Sequence, residues 1–120
     1  SKLLPNPDDG ERRRVIKDEI KFTKQHSAFY FLNTHFDHRP KEDTRLTSAK
    51  FINEWTKQHG DTPMIMVGDF NARPESETIK ELEKIWARTN IEPLPTVPVE
   101  KPTHQIDYIF VKPANRFRII

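Results

Sequence analysis

The sequence predicts an α/β layered fold, and three observations lead to this class. Two stretches with the spacing of amphipathic helices, residues 43–59 and 75–86, alternate along the chain with apolar stretches of strand length. The chain contains eight phenylalanines and two tryptophans, whereas disordered chains are poor in aromatic residues. Ten prolines and three glycines separate the stretches, which predicts stiff loops.

The N-terminal part is predicted to be a loop followed by a hairpin. Residues 1–11 carry two prolines and a glycine, which favours a loop that enters the domain. From residue 14, apolar residues alternate with charged ones, as in a half-buried strand; they are Ile16, Ile20 and Phe22. Residues 28–35, AFYFLNTH, are apolar on both faces and predict a central strand, linked to the first by polar residues 25–27.

The first helix is predicted over residues 43–59. Apolar side chains recur there at three-residue spacing along one helical face: Leu46, Ala49, Ile52 and Trp55. Asp43 or Thr44 is expected to cap its start, and Gly60 lies where a helix terminator belongs.

The rest of the chain is predicted to add three strands and a second helix. Residues 63–70 form an apolar strand, and residues 75–86 a shorter helix whose inward residues are Ile79, Leu82 and Trp86. Residues 90–103 are proline-rich and predict a surface loop. The last two strands are expected at residues 105–111 and 116–120.

Composition limits the core and the partners. Hydrophobic residues make up 34% and charged residues 32% of the 120 residues, and the mean hydropathy is -0.81. This predicts either a small core or a domain of which a part is missing. The net charge of +2 permits a polyanionic partner, but the dense basic run at residues 12–14 is shorter than a nucleic-acid-binding stripe and is also typical of a solvated strand entry. The absence of cysteine excludes disulfides and thiolate metal sites.

The sequence contains no signature of a membrane protein. No apolar stretch approaches the length of a membrane span, and no charged-then-apolar signal peptide opens the chain. We therefore expect a soluble protein, either cytoplasmic or secreted. We also expect a monomer.

Polar side chains at the ends of three predicted strands form a candidate site. Asn33 and His35 lie on one strand face because successive side chains alternate, and by the same period Asp69 and Asn71 share a face. Asp107 interrupts the last long apolar run. A buried polar group without a partner costs about 1–3 kcal/mol. A shared polar site, at the strand ends where α/β folds place ligands, would offset this cost.

Each of these residues also has a purely structural interpretation. His35 is a candidate for a hydrogen-bonded structural histidine, and Asn33 and Asn71 for residues that tie down loops. Asp69 is a candidate cap for the turn that follows it, and Asp107 for an ion pair with an arginine. Their common position at the edges of apolar strands favours the shared site.

Three motifs carry a resemblance to a known family. They are NTHFDH at residues 33–38, GDFNARPES at residues 68–76 and IDYIFV at residues 106–111. In this order and spacing they resemble the endonuclease/exonuclease/phosphatase superfamily, which includes pancreatic deoxyribonuclease, apurinic endonucleases, sphingomyelinases and inositol-polyphosphate phosphatases. The resemblance extends from about Arg13 to the end of the chain. It implies a four-layer α/β/β/α sandwich with mixed sheets between helical layers, and divalent-metal-dependent hydrolysis of a phosphate ester.

The resemblance also implies roles for the candidate residues. Asp69 resembles the aspartate that orients or deprotonates the attacking water, and the resemblance implies that it is also a weak metal ligand. Asn71 resembles the asparagine that hydrogen-bonds the phosphate, and His35 the histidine that contacts the scissile phosphoryl group; Asn33 joins them in substrate binding. Asp107 resembles the aspartate that orients a second histidine. Preplaced donors stabilise the charge that spreads over phosphoryl oxygens during in-line attack. Magnesium is the implied cofactor, with manganese and calcium as alternatives.

Two family motifs are expected outside this sequence. The asparagine motif and the glutamate that is the principal metal ligand are expected before residue 1, and the Ser-Asp-His motif after Ile120. Residues 1–120 are therefore interpreted as a single partial domain, the C-terminal half of such a domain. The expected function is a metal-dependent phosphodiesterase, nuclease or phosphatase; the alternative is a truncated, non-catalytic relative that acts as a binding module. Nucleic acid, a phospholipid headgroup and a sugar phosphate all remain open as substrates.

Overall fold

The computed structural model describes residues 1–6, 10–22, 27–90, 92, 94–118 and 120. Its strands are β1 (Lys2–Leu3), β2 (Arg14–Phe22), β3 (Ser27–His35), β4 (Met64–Asp69), β5 (Ala87–Arg88) and β6 (Asp107–Lys112). The helices are α1 (Asp43–Lys57), between β3 and β4, and α2 (Glu77–Glu83), between β4 and β5, and a 3-10 helix follows at Ala114–Arg116. This order confirms the predicted α/β class. In the described part of the chain, neither helix has the length and apolarity that crossing a membrane requires.

The strands form one mixed sheet in the order β1-β2-β3-β4-β6-β5. β2 and β3 pair antiparallel, as the predicted hairpin requires, although most of the predicted link at residues 25–27 lies outside the described residues. β3 and β4 run parallel, and β6 pairs antiparallel with β4. The ends of β3 and β4 and the start of β6 therefore meet at one edge of the sheet.

Both helices pack on the same face of the sheet. Burial alternates along β4, where Met64 and Met66 are fully buried and Ile65 and Val67 are only partly so. The buried methionines join helical residues three positions apart in one core cluster, which includes Ala49, Ile52, Ile79 and Leu82. This spacing places the apolar stripe of each helix against the sheet.

The opposite face of the sheet is apolar and open. Ile16, Ile20 and Ile109 are 48%, 38% and 49% exposed, respectively. Other apolar side chains on this face are half-buried: Phe29, Phe31, Ile65 and Val67. A sheet usually buries an apolar face against another layer. The exposed isoleucines therefore leave an apolar patch uncovered on this face.

Two of the sequence predictions of secondary structure were wrong, and one strand was missed. Residues 1–11, predicted as a loop, include β1, which pairs with β2. β5 was not predicted, because a strand of two residues has no detectable periodicity. The predicted strand at residues 116–120 is absent at all described positions of that range. β6 pairs with β4 on one side and with β5 on the other, so neither side of β6 is left for such a strand.

The helix limits also differ from prediction. α1 starts from Glu42 as its N-cap rather than Asp43 or Thr44, and α2 spans only seven of the twelve residues predicted for it. Gly60 does lie just past α1, with a φ of +53°, as expected of a terminator. Instead of capping its own helix, the carboxylate of Glu42 accepts hydrogen bonds from the backbone N–H and the hydroxyl of Thr78, both at 2.8 Å. Glu42 therefore joins the starts of the two helices.

We expect Glu42→Gln to lower the free energy of unfolding by about 1–2 kcal/mol at neutral pH, because charge-assisted hydrogen bonds to buried groups are lost. Burial on its own raises the pKa of Glu42, but the hydrogen bonds from Thr78 and the charge of Arg45 bring the pKa below its ordinary value. A carboxylate whose pKa is lower in the folded state stabilises the protein above the unfolded-state pKa, and this contribution is lost as the pH falls through the folded-state pKa. Urea unfolding at neutral pH and below about pH 4 measures the difference.

The matched control is Glu77→Gln, because Glu77 is an exposed glutamate in the first turn of α2. Its side chain forms an exposed ion pair with Lys80, at 3.6 Å, and no other ion pair among the residues that the structure describes, so we expect a change of less than about 0.5 kcal/mol. A loss at Glu42 that is equal at both pH values would show that its charge contributes nothing.

Candidate active site

The candidate site lies at the sheet edge where β3 and β4 end and β6 begins. His35 and Asp69 are register partners across the parallel pair, and Asp69 is the register partner of Asp107 across the antiparallel pair. The three side chains therefore lie side by side on adjacent strands. Nε2 of His35 is 3.4 Å from Oδ2 of Asp69, and the two side chains are 55% and 32% exposed. A histidine and two carboxylates thus share one solvent-accessible row.

Asp69 makes two contacts through its two carboxylate oxygens. Oδ1 accepts a hydrogen bond of 2.9 Å from the backbone N–H of Asn71, and Oδ2 faces His35. The first contact closes the turn after β4, which is the structural interpretation of this residue. The second contact leaves one oxygen directed into the row. Asp69 therefore both holds the turn and contributes a carboxylate oxygen to the candidate site.

Asn71 lies outside β4, which ends at Asp69. The prediction that Asn71 and Asp69 share a strand face was therefore wrong, because the chain leaves the extended conformation at this point. Asn71 has a φ of +47°, a left-handed conformation that asparagine tolerates better than most residues. Its side-chain Nδ2 donates a 2.9 Å hydrogen bond to the carbonyl of Phe36. Asn71 therefore ties the loop after β4 to the end of β3.

Asn33 lies on the same face of β3 as His35, as predicted, and both are exposed. Its register partners are Ile16 and Val67, so it belongs to the next row of side chains into the sheet. Two residues along a strand correspond to roughly 6.6 Å. Asn33 is therefore on the open face but set back from the edge where His35 and Asp69 meet.

Asp107 is the first residue of β6 and is half-buried, as its apolar neighbours predict. Among the described residues it forms no ion pair, so the predicted pairing with an arginine is not found there. Its backbone carbonyl accepts a hydrogen bond of 3.1 Å from Nε2 of Gln105. The backbone at Asp107 is thus held by a side chain that the sequence analysis did not single out.

Buried aromatic residues support the row from the helix side. Phe36 and Phe70 directly follow His35 and Asp69, and their rings pack edge to face with centroids 4.9 Å apart. Their backbone N–H groups donate to the carbonyls of Asp69 and Ile106, both at 2.9 Å, which extends the strand pairing past the strand ends. The signal for this support is in the sequence, since an apolar residue follows each polar one.

Tyr108 supports the other side of the site. Its buried hydroxyl donates to the carbonyl of Ala72 at 2.7 Å and lies 3.2 Å from the carbonyl of Gln105. Burial raises the pKa of Tyr108, so the phenol stays protonated and remains a donor. The loop after β4 is therefore attached to β6 as well as to β3.

The loop after β3 is held by a buried ion pair. Asp37 is 2% exposed, and its carboxylate accepts from Nε and from the backbone N–H of Arg39, at 2.9 and 3.1 Å. The guanidinium of Arg45 on α1 donates to the carbonyls of both residues. Asp37 therefore fixes the loop beside the site instead of entering it.

The described residues do not complete a divalent-metal site. Carboxylates such as those of Asp69 and Asp107 are suitable oxygen ligands, but magnesium requires near-octahedral coordination. In the described part of the chain, no group of three or more His, Asp or Glu side chains is placed to hold a metal ion. These residues therefore supply at most part of a magnesium coordination shell.

Solved structures of several proteins resemble this fold over most of the chain, among them the following three. A conserved protein of unknown function from Enterococcus faecalis V583 is 26% identical, with a TM-score of 0.74 over 90% of this chain and 47% of that chain. A mannosyl-6-phosphatase from Bacteroides thetaiotaomicron is 23% identical, with a TM-score of 0.74 over 89% of this chain and 45% of that one. D. rerio TDP2 in complex with a single-strand DNA product is 15% identical, with a TM-score of 0.70 over 98% and 53%.

The chain thus spans about half the length of these structures. No curated protein matches it. A family model does match, over residues 2–118, and its description is the Endonuclease/Exonuclease/phosphatase family. Because this match covers nearly the whole chain and the motifs at residues 33–38, 68–76 and 106–111 all lie within it, the chain belongs to the Endonuclease/Exonuclease/phosphatase family.

Proposed function

We propose that this chain forms part of an enzyme that hydrolyses phosphate esters by in-line attack of water at phosphorus. The observation that supports this most is the solvent-accessible row of His35, Asp69 and Asp107 at the sheet edge, with His35 and Asp69 3.4 Å apart. Family membership supports it as well. The proposal is also supported by two structural neighbours that are named as a mannosyl-6-phosphatase and as a TDP2 complex with a DNA product.

In this proposal Asp69 orients the attacking water and accepts its proton through Oδ2, because Oδ1 is occupied by the turn. The water oxygen bonds to phosphorus as the ester oxygen leaves. His35 lies beside Oδ2 of Asp69, with Nε2 at 3.4 Å, and in the proposal its exposed imidazole donates a hydrogen bond to the phosphoryl oxygens. Asn71 uses one N–H of Nδ2 on Phe36 and offers the other to the phosphate.

The remaining two residues have supporting roles in the proposal. Asp107 orients a second histidine, the one of the Ser-Asp-His motif expected after Ile120, as its place beside Asp69 allows. Asn33 binds the substrate from the next row of side chains, one step in from the edge that carries His35. Magnesium, with manganese or calcium as alternatives, would neutralise charge on the phosphoryl oxygens when bound. Asp69 would be one of its ligands, and the others would come from outside the described residues.

We also propose that the open apolar face is covered by a second sheet, which completes a four-layer α/β/β/α sandwich. The support is the exposure of Ile16 and Ile20 on that face. A further support is that the chain spans only about half of its structural neighbours. Residues 1–120 are then one part, the C-terminal half, of the whole domain.

Hydrolysis assays on the full-length polypeptide that contains this chain test the proposal. The substrates are a single-stranded DNA oligonucleotide, a phospholipid with a phosphodiester headgroup and a hexose phosphate, each with magnesium and with a chelator. We expect magnesium-dependent hydrolysis of at least one class and its loss in His35→Ala. Binding of a phosphate ester without hydrolysis by the folded protein would instead support the alternative, a binding module.

Magnesium binding gives a separate prediction. We expect the 120-residue chain to bind magnesium weakly in calorimetry, because no group of three acidic or histidine ligands is placed to hold a metal in its described part. The full-length polypeptide should bind at least about tenfold more tightly if it supplies further oxygen ligands. Tight, stoichiometric binding by the 120 residues alone would contradict this prediction.

A further inference from the structure

A cavity of about 480 Å³ lies directly beside the candidate site. Asp69 and Asp107 line one part of it, and the apolar residues of its lining include Leu94 and Ile109. The volume is within the range of small-molecule sites, about 300–1,000 Å³. No lysine or arginine occurs among the described residues that line the cavity. Its surroundings therefore suit an uncharged group better than an anionic one.

Gln105 fixes the wall of this cavity. It is 2% exposed, and its amide forms a reciprocal pair of hydrogen bonds with the side chain of Asn90, at 3.1 and 3.3 Å. Its Oε1 also accepts from the backbone N–H of Leu94 at 3.1 Å, and its Nε2 donates to the carbonyl of Asp107 at 3.1 Å. All four hydrogen-bonding positions of the amide are therefore used.

Hydrogen bonds of Thr96 also join the cavity wall to the start of β6. The hydroxyl of Thr96, another cavity residue, accepts a hydrogen bond of 3.1 Å from the backbone N–H of Ile106. The backbone N–H of Thr96 donates to the carbonyl of His104 at 2.9 Å. The wall is therefore attached on both sides of Gln105 to the strand that begins with Asp107, and its position relative to that carboxylate is set by hydrogen bonds.

We propose that this cavity receives an uncharged organic group carried by the phosphate ester, and that Gln105 is the positioning residue that holds its wall. The inference rests on the proposed function, because the cavity is assigned to the substrate only if the row of His35, Asp69 and Asp107 binds the phosphate. The carboxylates of Asp69 and Asp107 disfavour a second anion in the cavity. Burial of an apolar group against Leu94 and Ile109 favours an uncharged one.

The binding of three phosphonates distinguishes the contribution of the phosphate site from that of the cavity. They are methylphosphonate, phenylphosphonate and 4-carboxyphenylphosphonate, with binding to the full-length polypeptide measured by calorimetry in a magnesium buffer. We expect phenylphosphonate to bind about tenfold more tightly than methylphosphonate, because only the phenyl ring reaches the cavity. We expect the added carboxylate to remove this gain.

Gln105→Met tests the positioning role, since methionine has a similar length and no amide. We expect the ratio between phenylphosphonate and methylphosphonate affinities to fall from about tenfold to about twofold. Asn90→Ala removes the reciprocal partner from a less buried position and should give the same change if Gln105→Met does not fold. The matched control is Asn53→Leu, which removes a buried amide that donates to the carbonyl of Glu81 between the helices, away from the cavity.

The outcomes distinguish the inference from the proposed function. Equal affinities for phenylphosphonate and methylphosphonate in the unmodified protein would overturn the cavity assignment and leave the phosphate site in place. An affinity ratio unchanged in Gln105→Met and Asn90→Ala, or lowered equally in Asn53→Leu, would overturn the positioning role. Failure of the folded protein to bind any of the three phosphonates would contradict the proposed function and, with it, the inference.

Discussion

We expect Asp69→Asn in the full-length polypeptide to lower kcat/KM by about 10²- to 10⁴-fold, the range for loss of a general base. The free energy of unfolding should change by less than about 0.5 kcal/mol. Asparagine keeps the side-chain oxygen that accepts the 2.9 Å hydrogen bond from the backbone N–H of Asn71. It removes the negative charge that faces His35. The substitution therefore tests the proposed catalytic role of Asp69 without removing the hydrogen bond that closes the turn after β4.

Asp69→Ala is the control that removes both functions of the side chain. We expect it to lose as much activity as Asp69→Asn and, in addition, about 0.5–1.5 kcal/mol of stability, because the turn loses its hydrogen bond. Steady-state kinetics and urea unfolding on both variants measure the two effects. A large loss of stability in Asp69→Asn with full activity per folded molecule would show that Asp69 is a structural residue only.

The parts of the fold that the sequence predicts are those with a repeating pattern. α1 carries apolar residues at the helical period, and β4 is a continuous apolar run of strand length; both occur near their predicted positions. β1 and β5 contain two residues each, fewer than a pattern needs. Their pairing depends on the neighbouring strands β2 and β6, which no local signal reveals.

The candidate site follows the same rule. The strand period places Asn33 and His35 on one face, as the structure has them, because both lie within β3. It fails for Asn71, because β4 ends two residues earlier and the period ends with it. Gln105 escapes sequence analysis for a different reason. Its partner Asn90 is fifteen residues away, on the far side of a proline-rich stretch that has no period to interpret.

The second large effect is expected at Gly68, next to Asp69 in β4, where we expect Gly68→Ala to lower the free energy of unfolding by about 3 kcal/mol or more. A Cβ at this position would lie 2.0 Å from the backbone oxygen of Thr34, its register partner in β3. A backbone atom cannot move aside by changing a rotamer. Thr34 is itself held, because its hydroxyl donates to the carbonyl of Arg14 at 2.9 Å. The strands must therefore separate.

Gly60→Ala is the matched control for Gly68→Ala, because it adds the same methyl group where there is space. Gly60 follows α1 with a φ of +53°, and a Cβ there would meet no atom within 4 Å. Only the left-handed conformation is penalised, at about 1–2 kcal/mol. Urea unfolding should therefore show a larger loss for Gly68→Ala. Hydrogen exchange should show faster exchange at the end of β3 in that variant alone, since its strands separate beside His35 and Asp69. Equal losses in the two variants would mean that the close approach of β3 and β4 at the candidate site contributes nothing to stability.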